Sequence, residues 1–151
     1  MLSSVKKLDP HRLDYASAVG FLAFSSSTMV TPVCLLALAE DLDFTLTGGG
    51  GIEAMRTIML VAVLLFSGIA AARWGKVRIL GYGSLVLAVG MLAYAVAPTY
   101  GVVLLAAAVL GFGNGIVEAL INPLVQDLHP GDSGRYLSLV NAAWPIGVMT
   151  T

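Results

Sequence analysis

Residues 79–117 contain no charged side chain, and residues 15–39 and 57–72 are equally bare. Charged residues make up 11% of the chain, against about 25% in soluble domains. Uncharged runs of this length suit hydrocarbon. A bilayer core about 30 Å thick is crossed by roughly 20 helical residues, each rising about 1.5 Å. The chain therefore reads as an all-α membrane protein. The expected spans are residues 15–39, then 51–72 with Glu53 and Arg56 near its start, and two within the long run, 79–97 and 102–125. The break between those two falls at Pro98-Thr99-Tyr100-Gly101, because proline fixes φ and lacks an N–H while glycine accepts a turn. A fifth apolar stretch, 136–151, is short for a full crossing. The four consecutive glycines at 48–51 read as a flexible hinge into the second span.

Positive charge sets the expected topology, because cytoplasmic loops hold the excess of Lys and Arg. Lys6, Lys7 and Arg12 precede the first span, and Arg73, Lys76 and Arg78 lie between the second and third. Glu40, Asp41 and Asp43 occupy the first connection without a base, and Arg135 follows the fourth span. Residues 1–14 then form a cytoplasmic N-terminal segment, and 15–151 a multi-pass transmembrane domain in a cell membrane, the inner membrane if the source is bacterial. A cleaved signal peptide, suggested by Lys6-Lys7 and by Ala37-Leu38-Ala39, is disfavoured because its apolar region would span about 7–15 residues.

Other classes are excluded by what is missing. Eight Lys and Arg against nine Asp and Glu leave a net charge of -1, so no basic stripe marks a nucleic-acid surface. Cys34 is the single cysteine and has no partner for an internal disulfide. No GxxxxGK[ST] loop occurs, and His11 and His129 are far apart in sequence, so neither a nucleotide nor a metal is expected, nor any other cofactor or an enzymatic activity.

Ionisable groups inside a bilayer are expensive and mark solute or ion paths. Glu118 is the clear case, deep in the fourth span. Asn114, Glu118 and Asn122 repeat at i, i+4 and i+8 beside Gly111 and Gly115, giving one helix face that is polar and narrow. A carboxyl there either exchanges protons as a cavity alternates sides or stays protonated and bonds a neighbouring helix. Gly111 to Gly115, a GxxxG, reads as close helix packing. Glu53 and Arg56 pair at i, i+3, either facing a solute or anchoring at the outer interface. The hydroxyls from Ser25 to Thr31, before Pro32, read chiefly as helix packing. In the fifth stretch Asn141 and Trp144 set an amide beside an aromatic plate of the kind that holds a sugar.

Two segments carry a resemblance. Residues 68–78, GIAAARWGKVR, resemble the loop between the second and third helices of the major facilitator superfamily, G-x-L-A-D-R-x-G-R-K. Gly68, Arg73, Gly75 and Lys76 match its gating positions, while Ala72 replaces the aspartate. Residues 111–130, GFGNGIVEALINPLVQDLHP, with 134–147, GRYLSLVNAAWPIG, resemble helices four and five of the fucose-proton symporter branch. That resemblance implies a proton-coupling role for Glu118, followed by Asn122 and Pro123, and a solute-binding role for Asn141. Thr31 stands nearest the first-helix position where the branch can carry an aspartate.

The resemblance also implies that the chain is four complete helices plus part of a fifth from the N-terminal portion of such a bundle, whose remaining helices lie C-terminal to it. The implied activity is secondary active transport of a small solute such as a sugar with protons, with Glu118 coupling and with Asn114, Asn122, Asn141, Trp144 and Thr31 binding solute. If the chain is instead complete, it would be a small four-helix exporter acting as an oligomer, or a non-transporting membrane subunit. Small exporters place their carboxylate in the first helix, where this sequence has none.

Overall fold

The computed structural model describes residues 11–150, so Lys6 and Lys7, which enter the charge bias, lie outside the described residues. Six helices follow in order: α1 (Arg12–Asp41), α2 (Leu46–Trp74), α3 (Lys76–Ala95), α4 (Tyr100–Leu128), α5 (Ser133–Asn141) and α6 (Ala143–Met149). No strand occurs among the described residues. The first four are long and apolar enough to cross a membrane. The starts of α1, α2 and α4 are chemically specified by side-chain caps. The His11 ring accepts from the Leu13 N–H while the Asp14 carboxylate accepts from the His11 N–H at 2.7 Å, a reciprocal cap. Thr45 caps α2 and Thr99 caps α4 with their hydroxyls.

α4 is the central helix. It packs chiefly against α2 on one side and α3 on the other, and glycines permit both approaches. On the α2 side a side chain at Gly111 would strike the Arg56 carbonyl oxygen, and one at Gly115 would stand 2.6 Å from that of Leu60. On the α3 side a Cβ at Gly113 would meet the Leu87 nitrogen at 2.6 Å, and one at Gly90 would meet the Leu110 nitrogen at 2.9 Å. Lipid tails are as apolar as leucine, so association rests on such close contacts rather than on removal of apolar surface from water. The outward faces are correspondingly greasy. Phe66, Ile69, Leu85, Leu92 and Leu105 are all exposed, as suits lipid.

Two segments differ from the sequence expectation. The tetraglycine 48–51 lies within the first turns of α2 and forms no hinge. Its missing side chains let Leu35 of α1 pack on Gly49 and let the Tyr100 hydroxyl donate to the Gly48 carbonyl at 3.0 Å. Tertiary contact thus overrides the poor helix propensity of glycine. The stretch 136–151, expected as one apolar segment, is divided at Ala142 into α5 and α6. Pro145 has no N–H for the Asn141 carbonyl, and its ring crowds that same group, so the helix breaks one turn upstream.

α2 and α3 are joined by Gly75 alone, at φ 89° and ψ 136°. That conformation is nearly reserved for glycine and costs any other residue about 1–3 kcal/mol. Gly75→Ala is expected to lower the thermal unfolding midpoint of the purified protein in detergent, although no neighbouring atom stands near that position. Gly113→Ala should also destabilise. Overpacking costs about 1–3 kcal/mol, and because the opposing Leu87 atoms are largely backbone, the upper part of that range outweighs the roughly 1 kcal/mol that alanine gains over glycine in a helix. Gly81→Ala, which faces open space, should be neutral or stabilising in the same melt.

Candidate functional site

With α2 and α3 holding two faces of α4, the third face meets α1. The two helices run antiparallel in a register that changes by no more than two residues along the seam. Asp14 lies opposite His129, at 2.8 Å between oxygen and ring nitrogen. Gly20 lies opposite Ile121, and Ser27 donates to the Asn114 side-chain oxygen at 3.0 Å. That register sets Phe21 and Phe24 level with Asn122 and Glu118.

At that level a groove of about 510 Å³ opens, lined by Phe21, Phe24, Glu118, Asn122, Asn141 and Trp144. The phenylalanine rings meet edge to face at 5.8 Å and form an apolar wall. Trp144 is held across from them because α6 docks closely on α1. A Cβ at Gly147 would stand 2.6 Å from the Leu22 carbonyl oxygen, and the Ser26 hydroxyl donates to the Gly147 carbonyl at 3.1 Å. Glu118 is half-buried and has no hydrogen-bond or ionic partner among the described residues. The Asn122 side-chain oxygen is buried and likewise without a partner. Pro123 follows, removing the helical hydrogen bond to the Ala119 carbonyl one position past Glu118. A carboxyl, two amides and an indole therefore face one space, a set able to bond hydroxyls and stack on a ring.

Asn114 and Thr31 lie elsewhere. Asn114 is fully buried in the α1–α4 seam through Ser27. Thr31 is equally buried and shares a 2.9 Å hydrogen bond with the Tyr94 hydroxyl of α3. Neither lines the groove. The i, i+4, i+8 spacing placed Asn114 on the same face as Glu118, but depth along α1 decides which amide is sealed. Phe21 and Phe24 escape a sequence reading for the same reason: they are ordinary apolar residues until the register with α4 is known.

Outside the groove, Arg56 is buried and donates to Glu53 through Nη2 at 2.6 Å and Nε at 3.2 Å. The guanidinium is therefore held against the helices by its pair within α2. At the opposite end of α2 the four loop residues have separate positions. Gly68 sits within α2 beside open space, and the Arg73 guanidinium lies 5.6 Å from the Trp74 ring centroid. Lys76 donates to Asp127 at the end of α4 at 2.5 Å and to the Pro123 carbonyl at 3.5 Å. Ala72 carries no charge, and the carboxylate facing this loop comes from α4. Both partners are part-exposed, so the pair contributes at most about 1 kcal/mol.

Comparison with known proteins extends over this same region. The family model described as Major Facilitator Superfamily matches residues 16–151. A probable metabolite transport protein, CsbC of Bacillus subtilis (strain 168), is 25% identical over 116 residues. That match covers 77% of this chain and 25% of the relative, so the chain spans about a quarter of that protein's length. No solved structure matches the chain significantly.

Proposed function

The chain belongs to the major facilitator superfamily, and from that premise we propose that it supplies helices of a secondary transporter that carries a small polar solute, such as a sugar, together with protons. The observation that carries this reading is the unpartnered Glu118 carboxyl in a groove that also presents Asn122, Asn141 and Trp144. The relative described as a metabolite transport protein supports a metabolite as cargo. The Glu118-Asn122-Pro123 pattern supports the fucose-proton symporter branch within the superfamily.

Coupling follows from the cost of charge. An ionised carboxylate shut into a dry groove loses its hydration without a compensating partner, whereas a protonated one loses far less. Closure over solute is therefore favoured when Glu118 carries a proton, and solute hydroxyls supply further hydrogen bonds through Asn122 and Asn141. Trp144 offers an aromatic face to a sugar ring. The groove is lined by residues of α1, α4, α5 and α6, and in this reading further helices of the same transporter close over it. The Lys76–Asp127 pair joins the α2–α3 connection to the end of α4 and serves as a part of the gate, with Arg73 and Gly75 shaping the loop. The bias of positive charge supports a cytoplasmic N terminus in a cell membrane.

Two substitutions test the reading in the complete natural protein reconstituted in liposomes. Glu118→Gln should abolish accumulation of labelled sugar driven by a proton gradient while leaving sugar exchange at zero gradient partly intact. Accumulation that survives unaltered removes Glu118 from coupling, whereas unsubstituted protein that accumulates no sugar fits a non-transporting subunit better. Trp144→Ala should raise the half-saturating sugar concentration about three- to tenfold, since an aromatic contact is worth about 0.5–1.5 kcal/mol; an unchanged value assigns Trp144 to helix packing.

A further inference from the structure

Below the groove, toward the end of the bundle that carries Arg73, Lys76 and Arg135, the α1–α4 seam holds polar atoms that the solute site does not use. Asp14 and Ser17 are 3% and 1% exposed. The Asp14 Oδ1 and the Ser17 hydroxyl have no hydrogen-bond partner among the described residues, and neither has the Asn122 side-chain oxygen above them. Buried polar groups without partners are rare and costly, and bound water is their usual remedy.

These atoms fall in sequence along the seam. Asp14, Ser17, Phe21 and Phe24 share one buried stripe of α1, and the register with α4 sets Ser17 level with Val125, midway between Asn122 and His129. At about 1.5 Å per residue, Glu118 lies roughly 6 Å from Asn122 along the axis, and Asn122 about 5 Å from the level of Ser17. Ser17 in turn lies about 5 Å above Asp14. One water hydrogen-bonded on both sides spans about 5.6 Å. The last station is a built pair: His129 Nε2 meets Asp14 Oδ2 at 2.8 Å, and the imidazole stacks on Tyr136 of α5 at 3.5 Å with planes 4° apart. The His129 side chain keeps 14% of its surface exposed, so its ring reaches solvent while Asp14 does not.

We propose that this seam is the proton path between Glu118 and the cytoplasmic side, with single waters bridging Asn122, Ser17 and Asp14, and with the His129–Asp14 pair exchanging the proton with solvent. The proposal rests on the reading of Glu118 as the proton-carrying group. In each passage His129 gives one proton to Asp14 and regains one from bulk water. Asp14 passes its proton through the waters to a Glu118 oxygen, so every carrier returns to its starting state. The other titratable or charged groups around the pair are His11, whose backbone N–H donates to Asp14, and Asp132, Arg135 and Tyr136 at the start of α5.

The proton itself is the probe. The complete natural protein in phosphatidylcholine liposomes is given a rapid pH jump on the side carrying Lys76. The carboxyl infrared band of Glu118, identified by its loss in Glu118→Gln, is then followed in time. His129→Gln and Ser17→Ala, the second removing one oxygen without adding volume, should each slow the band's relaxation at least about tenfold while leaving its final amplitude unchanged. Ser84→Ala, whose hydroxyl bonds only the Leu80 carbonyl on α3, should leave the rate unaltered. A Glu118 band that responds to pH at the same rate in wild type and in both seam variants overturns the path and leaves the coupling reading standing. A wild-type band that does not respond to pH overturns both.

Discussion

The close approach of α4 to α2 and α3 is the constraint from which the rest of this bundle follows. In a lipid environment there is no water to expel between helices, so a long helix is held only where backbones come near enough for dense van der Waals contact. Gly111 and Gly115 serve α2, and Gly113 with Gly83 and Gly90 serve α3. Two faces of α4 are consumed by these contacts. The polar residues in its middle, Asn114, Glu118 and Asn122, are thereby left to the remaining side, where Asn114 meets α1 and Glu118 and Asn122 border the groove.

The ionisable residues among the helices are arranged consistently with that economy of space. Arg56 is neutralised within α2 by Glu53, one turn away, which is cheaper than leaving a buried guanidinium without an anion. Lys76 finds Asp127 near the basic end, and Asp14 finds His129. Glu118 stands apart because nothing comparable answers it among the described residues. An acidic group left alone at such depth is the kind of local inconsistency that functional sites show.

Much of the fold was legible in the sequence, because membrane crossing depends on long apolar runs and on where charges stop. The four membrane-length helices and the turn after Pro98 belong to that class of information. The glycines at 48–51 were not legible. Glycine is a poor helix former in isolation, and only Leu35 and Tyr100, distant in sequence, turn its smallness into an advantage. The division at Ala142 was within reach, since Pro145 marks it by its missing N–H. For the site, helical spacing put three polar residues on one face of α4 but could not tell the sealed Asn114 from the groove-lining Asn122. That distinction lies in the register with α1, as does the pairing of Asp14 with His129 across more than a hundred residues. The partner of Lys76 was hidden likewise, because the loop pattern points to position 72 while the carboxylate sits at 127.

Gly75 has a mechanical consequence. A connection of one residue has no slack, so a rotation or slide of α2 is transmitted to α3 almost undiminished. Together with the glycine contacts that clamp α4 between them, this makes α2, α3 and α4 behave as a single stiff block. α1 is joined to that block by a longer turn after Asp41, and α5 by the turn after Leu128. The compliant boundary of the bundle is therefore the line where α1, α5 and α6 meet α4, and the groove lies on that line. Deformation of the bundle then concentrates around the residues that line the groove, and the rest moves as ballast.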